Sequence, residues 1–95
     1  MEKVKVCNMQ SHAGNDVPNQ FEIRTDKGVY FQSYQSTIAF RPYYENGKRE
    51  KIILDENKWD YSCTTGKYRN MFLGENKKET QKKIDSGKYE LANLN

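Results

Sequence analysis

The sequence predicts an α+β fold, with a small antiparallel β-sheet of four to five strands built from hairpins, followed by two short C-terminal α-helices. Apolar and polar residues alternate through most of the first 56 positions, which is typical of strands. The Asn46-Gly47 pair is a strong hairpin signal. After residue 61 the apolar spacing changes from two to about 3.6 residues, as expected for helices. The 95 residues are enough for one domain spanning residues 1–95.

The strand patterns fill the first half of the chain. Lys3–Asn8 alternates valine with lysine and predicts the opening strand. Residues 10–19 collect Ser, Gly, Asn, Asp and Pro, so the longest loop is expected there. Four later segments are also predicted to be strands: 20–24, 29–34, 37–43 and 50–56. In the third of these, strict alternation places Ile38 and Phe40 on the same face.

Two capped helices are predicted to follow. The first begins at the hydroxyl residues 62–65, packs through Tyr68 and Phe72, and ends at Gly74. The second spans 77–86 after a capping-box pattern and is mostly exposed.

The end of the chain and the aromatic residues complete the predicted fold. Residues 88–94 alternate again and predict a short last strand or a strap over the core. Hydrophobic residues make up only 35% of the chain, so aromatic rings must complete a thin aliphatic core. We expect Trp59 and Phe72 to be buried in it.

Charge and cysteine content limit the compartment. The net charge is +3, and the whole excess lies in residues 61–95, which is compatible with a phosphate-facing surface or with an ordinary solvated helix face. Cys7 and Cys63 show neither metal-binding nor disulfide-framework spacing. The N-terminus has no apolar run typical of a signal peptide or anchor. These features predict a cytoplasmic protein with no membrane contact.

The densest group of candidate binding residues precedes and opens the first predicted helix. Free N–H groups at a helix start, with hydroxyls and cations beside them, favour an anion site. The alternative is that the hydroxyls only cap the helix and the rings only fill the core. The candidates are Trp59, Tyr61, Ser62, Thr64, Thr65, Lys67 and Arg69. A nucleotide-hydrolysing phosphate loop is excluded, because Tyr61 and Tyr68 stand where that loop needs glycine and a hydroxyl.

A second candidate is the predicted hairpin that carries Tyr43 and Tyr44 near Lys48 and Arg49. Aromatic rings beside cations occur in single-strand nucleic-acid grooves and in protein interfaces, and composition alone does not separate the two. The lone histidine, His12, lies in the polar loop. No catalytic residue, metal site or cofactor is predicted.

Parts of the sequence resemble a family of small uncharacterised proteins encoded by bacteriophages, prophages and bacterial mobile elements. The resemblance covers roughly residues 20–94 and is carried by three stretches: Val29–Ala39, Trp59–Gly74 and Thr80–Tyr89. It implies no catalytic residues and no cofactor. It does imply a genetic context in which short proteins work by binding nucleic acid or a host or defence protein, such as a restriction or CRISPR nuclease.

We therefore expect a small non-enzymatic protein that binds and modulates a host or defence protein involved in nucleic-acid processing. The alternative is a direct DNA- or RNA-binding accessory protein. Homodimerisation through an exposed edge strand also stays open at this point.

Overall fold

The computed structural model describes residues 3–95 and contains a six-stranded sheet and two α-helices. In chain order these are β1 (Lys5–Gln10), β2 (Asp16–Arg24), β3 (Gly28–Ser33), β4 (Ser36–Pro42), β5 (Ile52–Asp55), α1 (Cys63–Leu73), α2 (Lys77–Asp85) and β6 (Tyr89–Ala92). The α+β class and the two C-terminal helices are confirmed. The sheet has six strands rather than four to five, because the last segment pairs as a true strand.

The strands lie side by side in chain order. The first five are joined by antiparallel pairing, whereas β6 pairs parallel to β5. A parallel neighbour needs a crossover connection, and α1 with α2 provides it. The predicted antiparallel sheet is confirmed for the first five strands, and the one parallel strand is the last segment, which was predicted only as a short strand or a strap.

The predicted loop over 10–19 is shorter than expected, since β2 already starts at Asp16. Asp16 pairs with Gln10, and the Gln10 Nε2 donates to Asp16 Oδ1 at 3.1 Å. Asn19 has φ 64°, and its carbonyl accepts the Tyr34 amide at 2.7 Å. The strand β2 thus continues through an asparagine in the left-handed conformation. Composition alone predicts a turn at such a residue.

A bulge in β4 interrupts the alternation of its side chains between the two faces of the sheet. Phe31 pairs with Ala39 while Gln32 pairs with Thr37, which leaves Ile38 as an extra residue. Ile38 and Ala39 are consequently both fully buried. Beyond the bulge, Phe40 pairs with the partly exposed Tyr30 on the opposite face of the sheet, so the predicted common face for Ile38 and Phe40 was wrong.

Both helices are capped as predicted. The Ser62 hydroxyl accepts the Thr65 amide at 3.1 Å, and Gly74 ends α1 with φ 72°. Asn76 and Glu79 form a reciprocal capping box at the start of α2. None of the helices in residues 3–95 is long and apolar enough to cross a membrane.

The helix α1 lies along one face of the sheet, which we call the core face. The ring of Phe72 stacks on Phe31 with centroids 5.7 Å apart. At the start of α1 the hydroxyls of Thr65 and Ser33 are 2.9 Å apart, and at its end Arg41 Nη1 donates to the Phe72 carbonyl at 2.6 Å. These contacts place the two ends of α1 over opposite ends of β3 and β4.

The aromatic core matches the prediction in part. Phe72 is 4% exposed, as expected for a core residue. Trp59 is only partly buried and packs against the edge of the core. It lies in the turn before α1, where the Arg69 guanidinium covers its ring at 5.2 Å. A residue in such a turn reaches the rim of the core but not its centre.

Candidate functional site

The predicted anion site at the start of α1 uses several of its residues within the fold. Ser62 caps the helix, and Thr65 is fully buried against Ser33. Arg69 is 1% exposed, and its Nη1 donates to the Trp59 carbonyl at 2.7 Å and to Asp60 Oδ1 at 3.0 Å. Ser62, Thr65 and Arg69 are therefore hydrogen-bonded within the fold, as expected for residues with a structural role.

The charge of Arg69 is balanced by Asp60. Burial raises the pKa of the Asp60 carboxyl, but the hydrogen bonds and charges of Lys77 and Arg69 outweigh it and lower that pKa overall. Lys77 Nζ lies 2.7 Å from the second carboxylate oxygen. Asp60 therefore stays ionised and holds both cations, so neither is free to bind an external anion at full strength.

Four of the predicted residues here are exposed: the cap residue Ser62 and, beside this cluster, Tyr61, Thr64 and Lys67. Tyr61 and Lys67 line a cavity of about 790 Å³, together with His12 and Cys63. Among the described residues, no hydrogen bond joins His12 to Cys63. A cysteine nucleophile needs such a bond to its general base. Nor does any group of three or more potential metal ligands occur within residues 3–95.

Tyr43 and Tyr44 lie far from this cluster, just after the C-terminal end of β4. Tyr44 is 69% exposed, and the Arg49 guanidinium lies 4.8 Å from its ring centroid. The start of α1 lies over the other end of β4, where Thr65 meets Ser33. The structure thus divides the predicted site residues between two ends of the sheet.

Tyr44 belongs to a groove of about 690 Å³, of which the sequence predicted only the hairpin that carries Tyr44 and Arg49. We call it the basic groove; its charged lining residues are Arg41, Arg49, Glu50, Lys51, Glu75, Lys83 and Lys88. These come from residues 41–51 and 75–88, which are far apart in sequence. Clustering within a single segment could not reveal the groove, because its cations meet only when β6 pairs with β5.

One carboxylate of the basic groove is fully engaged within the fold. Glu75 accepts hydrogen bonds from Lys83 Nζ at 2.6 Å, Thr80 Oγ1 at 2.6 Å and Tyr89 Oη at 2.7 Å. Burial raises the pKa of Glu75, but these three bonds outweigh it and lower the pKa overall. Burial and the bond to Glu75 raise the pKa of Tyr89 to about 12, so the phenol remains a donor.

The face of the sheet opposite α1 carries a second unpredicted feature, which we call the outer row. Cross-strand pairing joins five apolar side chains in one line from β1 to β5: Val6, Ile23, Tyr30, Phe40 and Ile53. Val6 is 59% exposed and the other four are partly exposed. The row ends at Glu90 on β6, which pairs with Ile53.

The outer row follows from strand register and from the β4 bulge. Ile23 pairs with Tyr30, and Tyr30 packs on Phe40 with ring centroids 4.4 Å apart. Each strand shows alternation in the sequence, but alternation does not say which face a helix covers. The visible signal was that both faces of β3 and β4 carry large apolar residues, which a sheet with one solvated face does not need.

The fold and these surfaces define a small α+β domain, a single mixed sheet with two helices packed on one face and an apolar row on the other. The chain belongs to a family of unknown function, DUF8033, whose model matches residues 4–88. No curated protein and no solved structure matches the chain.

Proposed function

We propose that the protein is a non-enzymatic binding protein of a phage or mobile element that acts in the bacterial cytoplasm. Its partner is a host or defence protein involved in nucleic-acid processing, such as a restriction or CRISPR nuclease. The observation that carries the binding step is the outer row. The phage context and the class of partner rest on the resemblance of residues 20–94 to phage-encoded proteins.

The chemistry of the outer row favours a protein partner. A contiguous exposed apolar surface is one of the features that mark sites of protein contact. The row is continuous over five strands and contains no charged side chain before Glu90. Nucleic acid instead requires cations that face its phosphates. Tyr30 and Phe40 add two aromatic rings, which contribute strongly to the affinity of protein interfaces.

The positive net charge of the chain favours docking outside a nucleic-acid channel over replacement of the nucleic acid inside it. A nucleic-acid channel is positively charged, so a protein that replaces nucleic acid in that channel must be acidic. This chain carries a net charge of +3. Docking through apolar contact outside the channel therefore fits the chain better than imitation of nucleic acid does.

The experiment is affinity capture from host bacteria with the purified chain, followed by reconstitution of the complex from purified components. Val6→Glu places a charge in the outer row at a residue that is 59% exposed, so the fold is retained. Leu91→Glu is the matched control, because Leu91 is 40% exposed on the other edge strand and pairs with Leu54 of the core face. Calorimetry measures the affinity of each variant for the captured protein.

We expect one stoichiometric bacterial partner, at least tenfold weaker binding by Val6→Glu, and unchanged binding by Leu91→Glu. Equal binding by both variants would remove the outer row as the interface. Light scattering tests the competing occupant, a second copy of the chain. A wild-type dimer that Val6→Glu converts to monomer would contradict the proposed partner.

A further inference from the structure

The basic groove lies on the core-face side of the sheet and is chemically unlike the outer row. Its lining contains five cationic side chains and two carboxylates, an excess of three positive charges. That excess equals the formal net charge of the whole 95-residue chain. The groove thus carries a local excess of positive charge, which attracts anionic ligands.

The positive charges of the groove are largely unneutralised by other side chains. Glu75 is paired with Lys83. Arg41 is held by neutral groups, since its Nη1 donates to the Phe72 carbonyl and its guanidinium lies 4.4 Å from the Phe72 ring centroid. Among residues 3–95, no ion pair involves Arg49, Lys51 or Lys88.

An aromatic ring is placed among these cations. Tyr44 is 69% exposed, although Arg49 lies over its ring. An exposed ring flanked by cations is the arrangement that binds single strands, with bases stacked on the ring and phosphates beside the cations. Acidic polypeptides supply carboxylates for the cations but need no aromatic platform. The ring therefore favours nucleic acid over an acidic protein.

From this juxtaposition we infer a second binding site: the basic groove binds single-stranded nucleic acid, with Arg49, Lys51 and Lys88 on phosphates and Tyr44 stacked on a base. A volume of about 690 Å³ is in the range of ligand pockets of about 300–1,000 Å³. Such a groove admits individual bases of a flexible strand. A rigid duplex, whose bases are stacked inside, does not enter it.

The test is fluorescence anisotropy with a labelled short oligothymidylate, titrated at several salt concentrations. Arg49→Ala removes one phosphate contact, so the slope of log K against log salt becomes shallower by about 0.7. Tyr44→Ala leaves the slope unchanged and weakens binding roughly 5- to 150-fold, the effect of losing one stacked base. Both residues are exposed, so the melting temperature stays near that of the wild type.

Two matched controls lie at the start of α1. Lys67→Ala removes one exposed positive charge, and Tyr61→Ala removes a ring that is 48% exposed. Neither changes affinity or salt slope if the groove is the site. Equal losses with Lys67→Ala and Arg49→Ala would overturn the inference, because binding would then reflect net charge alone.

The probe set also separates the groove from other ligands. We expect the unlabelled single strand to compete well, and duplex DNA and polyglutamate to compete poorly. Competition by polyglutamate equal to that of the single strand, with no effect of Tyr44→Ala, would show an acidic-polypeptide site and overturn the inference. None of these results depends on the outer row, so the inference fails or stands separately from the proposed function.

Discussion

Glu75→Gln tests the buried network that connects the segment between α1 and α2 to β6. The Glu75 side chain is 4% exposed and accepts hydrogen bonds from Lys83, Thr80 and Tyr89 at 2.6, 2.6 and 2.7 Å. Glutamine has nearly the same shape but no charge. The substitution therefore removes the charge and leaves the packing in place.

The expected loss follows from the kinds of bond involved. A hydrogen bond to a charged group contributes about 1.5–3 kcal/mol and a neutral one about 0.5–1.5 kcal/mol. Glutamine has a single acceptor oxygen, so at least one of the three bonds is lost and the others are weakened, which together amounts to about 3 kcal/mol. Two effects reduce this figure. Glutamine carries a smaller desolvation cost than a buried carboxylate. The Lys83 side chain is also 38% exposed, so solvent screens its ion pair. We expect a net loss of about 1–2 kcal/mol in the free energy of unfolding at neutral pH.

The pH dependence makes this prediction specific. Burial raises the pKa of Glu75, but the hydrogen bonds from Lys83, Thr80 and Tyr89 lower it overall in the folded state. The stabilisation is therefore fully present above the pKa of the unfolded chain and is lost as the pH falls through the folded pKa. In acid the wild-type carboxyl is neutral, like glutamine, so the two proteins converge.

The assay is urea unfolding followed by Trp59 fluorescence, at neutral pH and at stepwise lower pH. Equal stability of wild type and Glu75→Gln at neutral pH would refute the argument. So would a difference that persists undiminished in acid, because it would then come from shape rather than charge.

Three further substitutions test the packing and the caps, each measured as a change in the free energy of urea unfolding. Phe72→Ala removes a ring that is 4% exposed and stacked on Phe31, so we expect a loss of about 3–5 kcal/mol; an unchanged unfolding curve would mean that the core is misplaced. Gly28→Ala places a Cβ 2.5 Å from the Arg41 carbonyl oxygen, and we expect a loss of about 1–3 kcal/mol, whereas a neutral result would contradict the close pairing of β3 with β4. Ser62→Ala removes the α1 cap at a cost of about 1 kcal/mol, and Ser62→Asp, which restores an acceptor, should recover most of it.

The helices could be predicted closely because their signals are local. A cap needs only residues within one turn of each other, as Asn76 and Glu79 show. The sheet was less predictable because pairing brings together distant residues. The extension of β2 through Asn19 and the bulge at Ile38 both depend on a partner strand, and neither leaves a pattern within its own segment.

The site residues divide along the same line. Sequence placed Ser62 and Thr65 at a helix start, which is correct, and the Arg69 side chain reaches back from the middle of α1 to the residues before it. The sequence could not show that Arg69 is 1% exposed and held by Asp60, since burial of an arginine is a tertiary property. A dense local cluster of polar and charged residues in the sequence is therefore as compatible with a hydrogen-bonded network that holds a helix in place as with a ligand site.

The two proposed binding surfaces, the outer row and the basic groove, face opposite sides of the sheet, which leads to a final prediction. In β4, Phe40 belongs to the outer row, while the next residue, Arg41, pairs with Val29 of the core face and lines the basic groove. Effects of well-separated sites add to within about 0.3–0.5 kcal/mol, or about twofold in an equilibrium constant. Saturating the outer row with its protein partner should therefore leave oligothymidylate affinity unchanged within about twofold.

That outcome would make the chain a bridge between a protein and a single strand. The measurement is anisotropy of the labelled strand with and without saturating partner. Val6→Glu is the control, because its affinity for the partner is at least tenfold weaker and less of it is bound at the same partner concentration. Loss of strand binding on addition of partner to the wild type, but not to Val6→Glu, would show that one ligand excludes the other. A partner that docks on the outer row alone does not reach Arg49 or Tyr44, because both line a groove on the other side of the sheet. Exclusion would thus require the partner to wrap around the edge of the sheet, and it would contradict independent sites.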